Sequence, residues 1–170
     1  MGKGSVVARV LEALPAVRLS VSATTRAPRQ GEEDGREYHF MTPERFEELQ
    51  QGNAFLEWAE FQNARYGTLA AEVEAARIAG RDVVLEIEVQ GARIIRDRAP
   101  ESLFIFLVPP SFGELRRRLE QRGTETPEQR AARLVKAEEE MGERRWFHHV
   151  VVNDDLDRAA AEVIAILEGT

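Results

Sequence analysis

Four short runs constrain this chain more than any other feature: "VRLSVSA" at 17–23, "DVVLEIEV" at 82–89, "SLFIFLV" at 102–108 and "HVVVND" at 149–154. Each is β-branched and aliphatic and is bounded by turn residues, as expected of strands buried on both faces in a parallel sheet. The text between them reads as helices with recognisable starts. Ser111 with Glu114 predicts a capping box before "LRRRLEQR", and Thr126, Pro127 and Gln129 predict another before "RAARLVKAEEEM". Asp155 predicts an N-cap for a last helix whose apolar face is Ala159, Val163, Ile166 and Leu167. The fold class that follows is α/β.

One stretch breaks the rhythm. From Arg26 to about Gly80 the pattern turns to short strands, turns and one helix, capped by Thr42 and opened by Pro43, which reads as a module inserted between core strands. Such a module, with an Arg-rich segment later in the chain, suits closure over a substrate and exclusion of water.

At 170 residues and 43% hydrophobic content, the chain can core one domain with small insertions. A net charge of -7 and a pI near 5.2 argue against nucleic acid or an acidic membrane as partner. The chain has no cysteine, hence no disulfide framework and no thiolate zinc site. No signal-peptide pattern or long apolar run is present, so a cytoplasmic protein is expected. His39, His148 and His149 lack the paired spacing of metal ligands.

The polar motifs point to phosphate chemistry, each against a plainer alternative. Gly2, Lys3, Gly4 and Ser5 open an apolar helix, and a helix N-terminus offers unpaired N–H groups and partial positive charge to an anion. They match only the Gly-Lys tail of GxxxxGK[ST], and a solvated helix end explains them as well. Arg26 and Arg29 flank a proline, with Tyr38 downstream; two guanidinium forks and a phenol can hold a phosphate dianion. The alternative is a solvated loop paired through Glu32, Glu33 and Asp34.

Glu57 lies in "FLEWAEF", where strand alternation puts it on one face with Phe55 and Ala59. A carboxylate there wants donors, and guanine's N1–H and N2–H₂ edge has two that adenine lacks; an arginine partner is the other reading. Glu86 and Glu88, two apart at the end of an apolar strand, face one way and could hold Mg²⁺ directly or through water. Arg118, Arg122 and Arg133 border a Gly-Thr turn between two capped helices and could neutralise charge during phosphoryl transfer, or simply pair with surface glutamates.

Taken in order, the Gly-Lys tail, "SVSATTRAPR", "GREYHF", "FLEWAEF", "YGT", "EIEVQGA", "PPS", "RRLEQRGTET" and "VVNDD" resemble guanylate kinase over nearly the whole chain. The resemblance implies the P-loop nucleoside monophosphate kinase fold: a core (1–23, 81–120, 146–170), a GMP-binding insertion (24–80) and an Arg-rich lid (121–145) within one domain, 1–170. It implies transfer of the ATP γ-phosphate to GMP, with Mg²⁺ as cofactor and no nucleic-acid or membrane partner. Monomer and homodimer both remain open.

Residue by residue, the resemblance puts Arg26, Arg29, Tyr38 and Tyr66 on the GMP phosphate and Ser22, Glu57, Thr68 and Glu88 on the guanine side. Glu86 falls where a Mg²⁺-linked acid is expected, Lys3 matches the P-loop lysine, and Gly2, Gly4, Ser5 and Asn153 join the ATP-binding set. Arg118, Arg122 and Arg133 match lid-side arginines that approach the ATP phosphates.

Two departures stand out. Glu86 and Glu88 occupy a segment where the family commonly carries aspartates, one methylene shorter. Relatives also begin with an apolar strand and a glycine-rich half-loop before the Gly-Lys pair, so Met1 is expected not to be the natural start. An alternative of another class is a catalytically inactive guanylate-kinase-like module that grips phosphorylated peptides.

Overall fold

The computed structural model describes residues 2–61, 63–122 and 126–169, the Arg122 side chain excepted. In chain order the elements are α1 (Lys3–Ala13), β1 (Arg18–Leu19), β2 (Ala23–Thr24), β3 (His39–Phe40), α2 (Pro43–Gln51), β4 (Phe55–Phe61), β5 (Ala64–Leu69), α3 (Ala70–Ile78), β6 (Val83–Val84), α4 (Val89–Arg98), β7 (Ile105–Val108), α5 (Phe112–Arg122), α6 (Pro127–Gly142), β8 (His149–Val152) and α7 (Leu156–Glu168). A single 3₁₀ turn, Glu143–Trp146, follows α6. By packing, the chain forms two compact units, Met1–Leu14 with Leu103–Thr170, and Pro15–Ser102.

In the first unit, β7 and β8 run parallel, with Ile105 opposite His149 and Val108 opposite Val152. Val151 turns inward against Val6 and Val10 of α1 and Ala159, Ala160 and Val163 of α7, which form the unit's buried core. Burying each of the four valine side chains contributes about 1.5–3 kcal/mol. α7 begins as its sequence predicts: the Asp155 carboxylate accepts from the Arg158 N–H at 2.9 Å. β8, however, is not buried on both faces. Its side chains alternate, only the Val151 face meets helices, and Val150 and Val152 are 41% and 43% exposed.

α5 and α6 pack through Leu115, Leu119 and Ala137. At α6 the box closes both ways, Thr126 Oγ1 accepting from the Gln129 N–H and Gln129 Oε1 from the Thr126 N–H. At α5 only half of the box forms. Ser111 Oγ accepts from the Glu114 N–H at 3.1 Å, but both Glu114 oxygens accept from Arg117 and Arg118 instead of reaching back. Two guanidinium forks outbid one backbone N–H for the carboxylate.

In the second unit, β1 and β6 run parallel, Arg18 opposite Val83 and Leu19 opposite Val84. A four-stranded sheet, ordered β3-β2-β5-β4, packs Ala23 and Phe55 against Phe46 of α2. Thr42 caps α2, its hydroxyl accepting from the Arg45 N–H. This stretch holds a second helix, α3, beyond the one expected from the sequence. No side chain caps α3, and it buries no residue fully, so it carries neither of the usual sequence signals.

The run "DVVLEIEV" is a strand only at Val83–Val84. The Ser20 N–H makes the last ladder bond, to the Val84 carbonyl, and the chain then enters β2 in the other sheet. Residues 85–88 therefore continue without a β1 ladder, and α4 begins at Val89. Glu86 and Glu88 thus stand on an irregular link, not on one strand face.

Candidate active site

The second unit gathers two tyrosines, a phenylalanine and an acid around the guanidinium fork of Arg26. Arg26 leaves β2 with its guanidinium 5.2 Å from the Tyr38 ring centroid and 5.7 Å from that of Phe40. Tyr66 of β5 meets Tyr38 edge to face, with centroids 6.0 Å apart. Aromatic faces attract a guanidinium and leave its in-plane N–H donors to an anion. That anion is here Glu32, which accepts from Arg26 Nη2 at 3.0 Å and from the Arg29 backbone N–H at 2.7 Å.

The hydrogen bond from Arg26 holds the Glu32 carboxyl below its ordinary range, against the opposing effect of burial. Burial first, and then the charge of Glu86, push the Tyr38 phenol up, so it stays a neutral donor. Arg29 points an exposed side chain from the same loop. The pairing with Glu32 was legible only as one of three acids nearby; Asp34 instead accepts from the Phe40 N–H.

The same unit holds a buried acceptor, Glu57. β4 carries a bulge between Phe55 and Glu57, so Leu56 is extra against β5. The bulge breaks the expected alternation: Phe55 stacks on Phe46 at 4.4 Å and Trp58 meets the same ring at 6.5 Å. Phe55 and Trp58 therefore flank one ring, whereas Glu57 turns to Thr68 of β5 and the backbone of α4. Glu57 is 5% exposed and Thr68 is 1% exposed, and Thr68 Oγ1 donates to Glu57 Oε1 at 2.7 Å. Burial pushes the Glu57 carboxyl up, and the bond from Thr68 draws it partly back.

Among the described residues, no arginine pairs with Glu57 and its one polar side-chain partner is Thr68, which leaves acceptor capacity on the carboxylate. Ser22 is half-buried between β1 and β2, its carbonyl accepting from the His39 N–H at 2.9 Å. Glu88 is the N-cap residue of α4, and Glu86 is exposed just ahead of it. Among the described residues, no three acids, histidines or cysteines gather as a metal cage.

The first unit carries the residues that the sequence suggests for the ATP side. α1 starts at Lys3 with Gly2 as N-cap, so the N–H groups of Lys3, Gly4 and Ser5 belong to the first turn and lack intrahelical acceptors. Gly2 has φ 78°, and a Cβ there would come within 2.8 Å of Asn153 Nδ2, so only glycine lets the helix start lie against Asn153. The structure thus brings Gly2 and Asn153 together. Asn153 is buried, its N–H donating to the Val108 carbonyl.

Arg118 binds Glu114 Oε1 at 2.7 Å, the Asn153 carbonyl at 2.9 Å and the Asp154 carbonyl at 3.3 Å. Arg133 is half-buried on α6. The Arg122 side chain lies outside the described residues.

Comparison with known proteins gives this arrangement its context. The guanylate kinase family model matches residues 1–170. The chain is 49% identical to guanylate kinase of Mycolicibacterium paratuberculosis, covering 100% of this chain and 77% of that protein. It is 50% identical to guanylate kinase of Synechococcus sp. strain CC9311, covering 96% and 86%. A crystal structure of guanylate kinase from Anaplasma phagocytophilum superposes with a TM-score of 0.83 at 32% identity, over 98% of this chain and 80% of that one. The fold is accordingly that of the P-loop nucleoside monophosphate kinases, a class of phosphotransferases. Within that class, the chain belongs to the guanylate kinase family.

Proposed function

We propose that the chain transfers the γ-phosphate of ATP to GMP, giving ADP and GDP, in cytoplasmic purine nucleotide metabolism. The observation that carries this reading is the buried Glu57 carboxylate, whose polar partner among the described residues is the neutral Thr68, set in the same unit as the Arg26 fork. Arg26, Arg29, Tyr38 and Tyr66 hold the monophosphate, which takes over the guanidinium edge now bound by Glu32. Glu57 accepts from guanine's N1–H and N2–H₂, and Thr68, Ser22 and Glu88 complete the guanine side.

On the donor side, the first-turn amides of α1 with Lys3 hold ATP phosphate oxygens, as helix N-termini do. Arg118 fixes the turn at Asn153 and Asp154 that borders Gly2, and so shapes the ATP side from behind. Arg122 and Arg133, in the lid segment, neutralise charge on the transferring group. Phosphoryl transfer asks for positioning and cations more than for covalent chemistry, which suits a site of this composition.

Mg²⁺ fits the residues present. It prefers hard oxygen ligands and keeps several waters, so one exposed carboxylate, Glu86, with phosphate oxygens is a sufficient protein contribution. When bound, the ion supplies positive charge to the phosphate oxygens. The alternative of a catalytically inactive module binding phosphorylated peptides is not supported, since the relatives matched are guanylate kinases.

The test is nucleoside diphosphate formation with Mg²⁺-ATP, offering GMP and AMP separately. GDP from GMP with no ADP gained from AMP is the expected result, and equal use of AMP would remove Glu57 from base selection. For the lid, Arg133→Ala is expected to lower turnover more than GMP binding; an unchanged turnover number takes Arg133 out of the mechanism.

A further inference from the structure

Gly91 sits in the first turn of α4, in a helix of ten residues, and no positive φ calls for glycine there. Glycine is among the weakest helix formers, so something other than backbone conformation explains it. A Cβ at this position would land on Glu57 Oε2 and lie 3.0 Å from Glu57 Cδ and 3.4 Å from Ile87 Cβ. The bare backbone of α4 is therefore the floor on which the Glu57 carboxylate rests, with Thr68 holding its other oxygen. That floor is the positive end of the helix, where a carboxylate is favourably placed. The atom a new methyl group would meet first is the tip of a side chain and not backbone, so the carboxylate is what must shift.

We infer that Gly91 is a positioning residue for guanine selection: by lacking a side chain it admits the Glu57 carboxylate to the first turn of α4, at the place where it accepts guanine's edge. The inference rests on the reading of Glu57 as the guanine acceptor. It adds a specificity determinant that touches neither nucleotide and acts through Glu57 alone.

A double-mutant cycle tests it, with Gly91→Ala, Glu57→Asp and the pair measured in the full chain for KM toward GMP, KM toward ATP, turnover and thermal midpoint. Gly91→Ala is expected to raise KM for GMP by about tenfold, the order of one lost hydrogen bond, while KM for ATP stays within about twofold. A defect of the helix alone would move the thermal midpoint and both substrates together. In the Gly91→Ala background, Glu57→Asp is expected to cost less than it does alone, because the shorter acid clears the methyl group; contacting residues show such non-additivity.

Independent multiplication of the two effects, or an unchanged KM for GMP in Gly91→Ala, overturns the inference. Should Gly91→Ala fail to fold, the cycle is read as recovery of folding in the double variant, and no recovery overturns it equally. Glu57→Gln separates the two ways of failing. If it raises KM for GMP and Gly91→Ala does not, only the role of Gly91 falls; if Glu57→Gln also leaves KM unchanged, the guanine reading falls and this inference with it.

Discussion

Arg26 and Arg118 are both partly buried arginines with several hydrogen bonds, yet they are held in opposite ways. Arg26 is braced from behind by Tyr38 and Phe40; one donor meets the carbonyl of its neighbour Ala27 at 2.7 Å, and Nη2 meets the side chain of Glu32, an anion a phosphate can replace. Arg118 is fixed by Glu114 and by two main-chain carbonyls, those of Asn153 and Asp154, which no ligand can displace without unmaking the turn. An arginine whose counter-charge is a side-chain carboxylate can exchange it for another anion, whereas one held by two carbonyls of a distant turn is part of the scaffold. In the sequence the two are equivalent: each is an arginine close to another arginine and to glutamates.

The largest expected effect separates them. Arg26→Ala removes a bidentate, charge-assisted grip on phosphate and is expected to weaken GMP binding by about 2–4 kcal/mol, roughly 30- to 1,000-fold. Titration calorimetry with GMP reads this directly, and the thermal midpoint should move little because Glu32 regains water. A GMP affinity within a few-fold of the parent would mean that Arg26 is only a structural partner of Glu32.

Next in size is Glu57→Gln, which turns an acceptor into a donor facing guanine's N1–H and is expected to cost about 1–3 kcal/mol of GMP binding. The same group sets a pH dependence. Its carboxyl is raised by burial, and base recognition uses the ionised form, so KM for GMP should rise as pH falls through that raised value. Stability runs the other way for this group, since the folded state holds the proton better and loses that advantage as pH rises. A KM for GMP flat across the acid limb, with Glu57→Gln also silent, removes the assignment.

What could be read from the sequence divides along the same physical line. Most local signals are legible: Thr42, Thr126 and Asp155 each cap the helix they precede, since a cap is decided within four residues, while the box at Ser111 and Glu114 forms only by half because arginines compete for Glu114. Features that depend on a distant partner are not. The strand expected over 82–89 is shorter in the structure because β1 supplies no ladder beyond Ser20. The bulge at Glu57, the pairing of Arg26 with Glu32 and the approach of Glu57 to Gly91 are settled by tertiary contacts. The chemistry of each candidate residue is legible in the sequence, but which of them meets a side chain and which meets the backbone is not.

Arg118→Ala is the counterpart of Arg26→Ala on the scaffold side. Two carbonyls lose a charged donor, so about 1–2 kcal/mol of stability should go, a drop of roughly 3–6 °C in midpoint. KM for ATP should rise with it, through the turn at Asn153, while GMP affinity in titration stays near the parent value. A variant with its midpoint intact and its turnover collapsed would instead make Arg118 a group that meets phosphate directly.

The smallest effect belongs to Glu114, which holds Arg118 from the other end. Arg117 first, then Arg118, hydrogen-bond its carboxylate and push its pKa down to about 2. Because the pKa is depressed, the contribution is in full force above the ordinary carboxylate range and fades only as pH falls from there toward about 2. Glu114→Gln keeps an acceptor but loses the charge, and in a half-exposed setting such pairs are worth little. The midpoint should therefore drop less than in Arg118→Ala at neutral pH, and the gap between parent and variant should close on acidification. A drop as large as that of Arg118→Ala would move the anchor of Arg118 from the backbone carbonyls to the carboxylate. Arg118 would then depend, like Arg26, on a side-chain anion more than on the carbonyls it also meets, and the contrast between the two arginines would collapse.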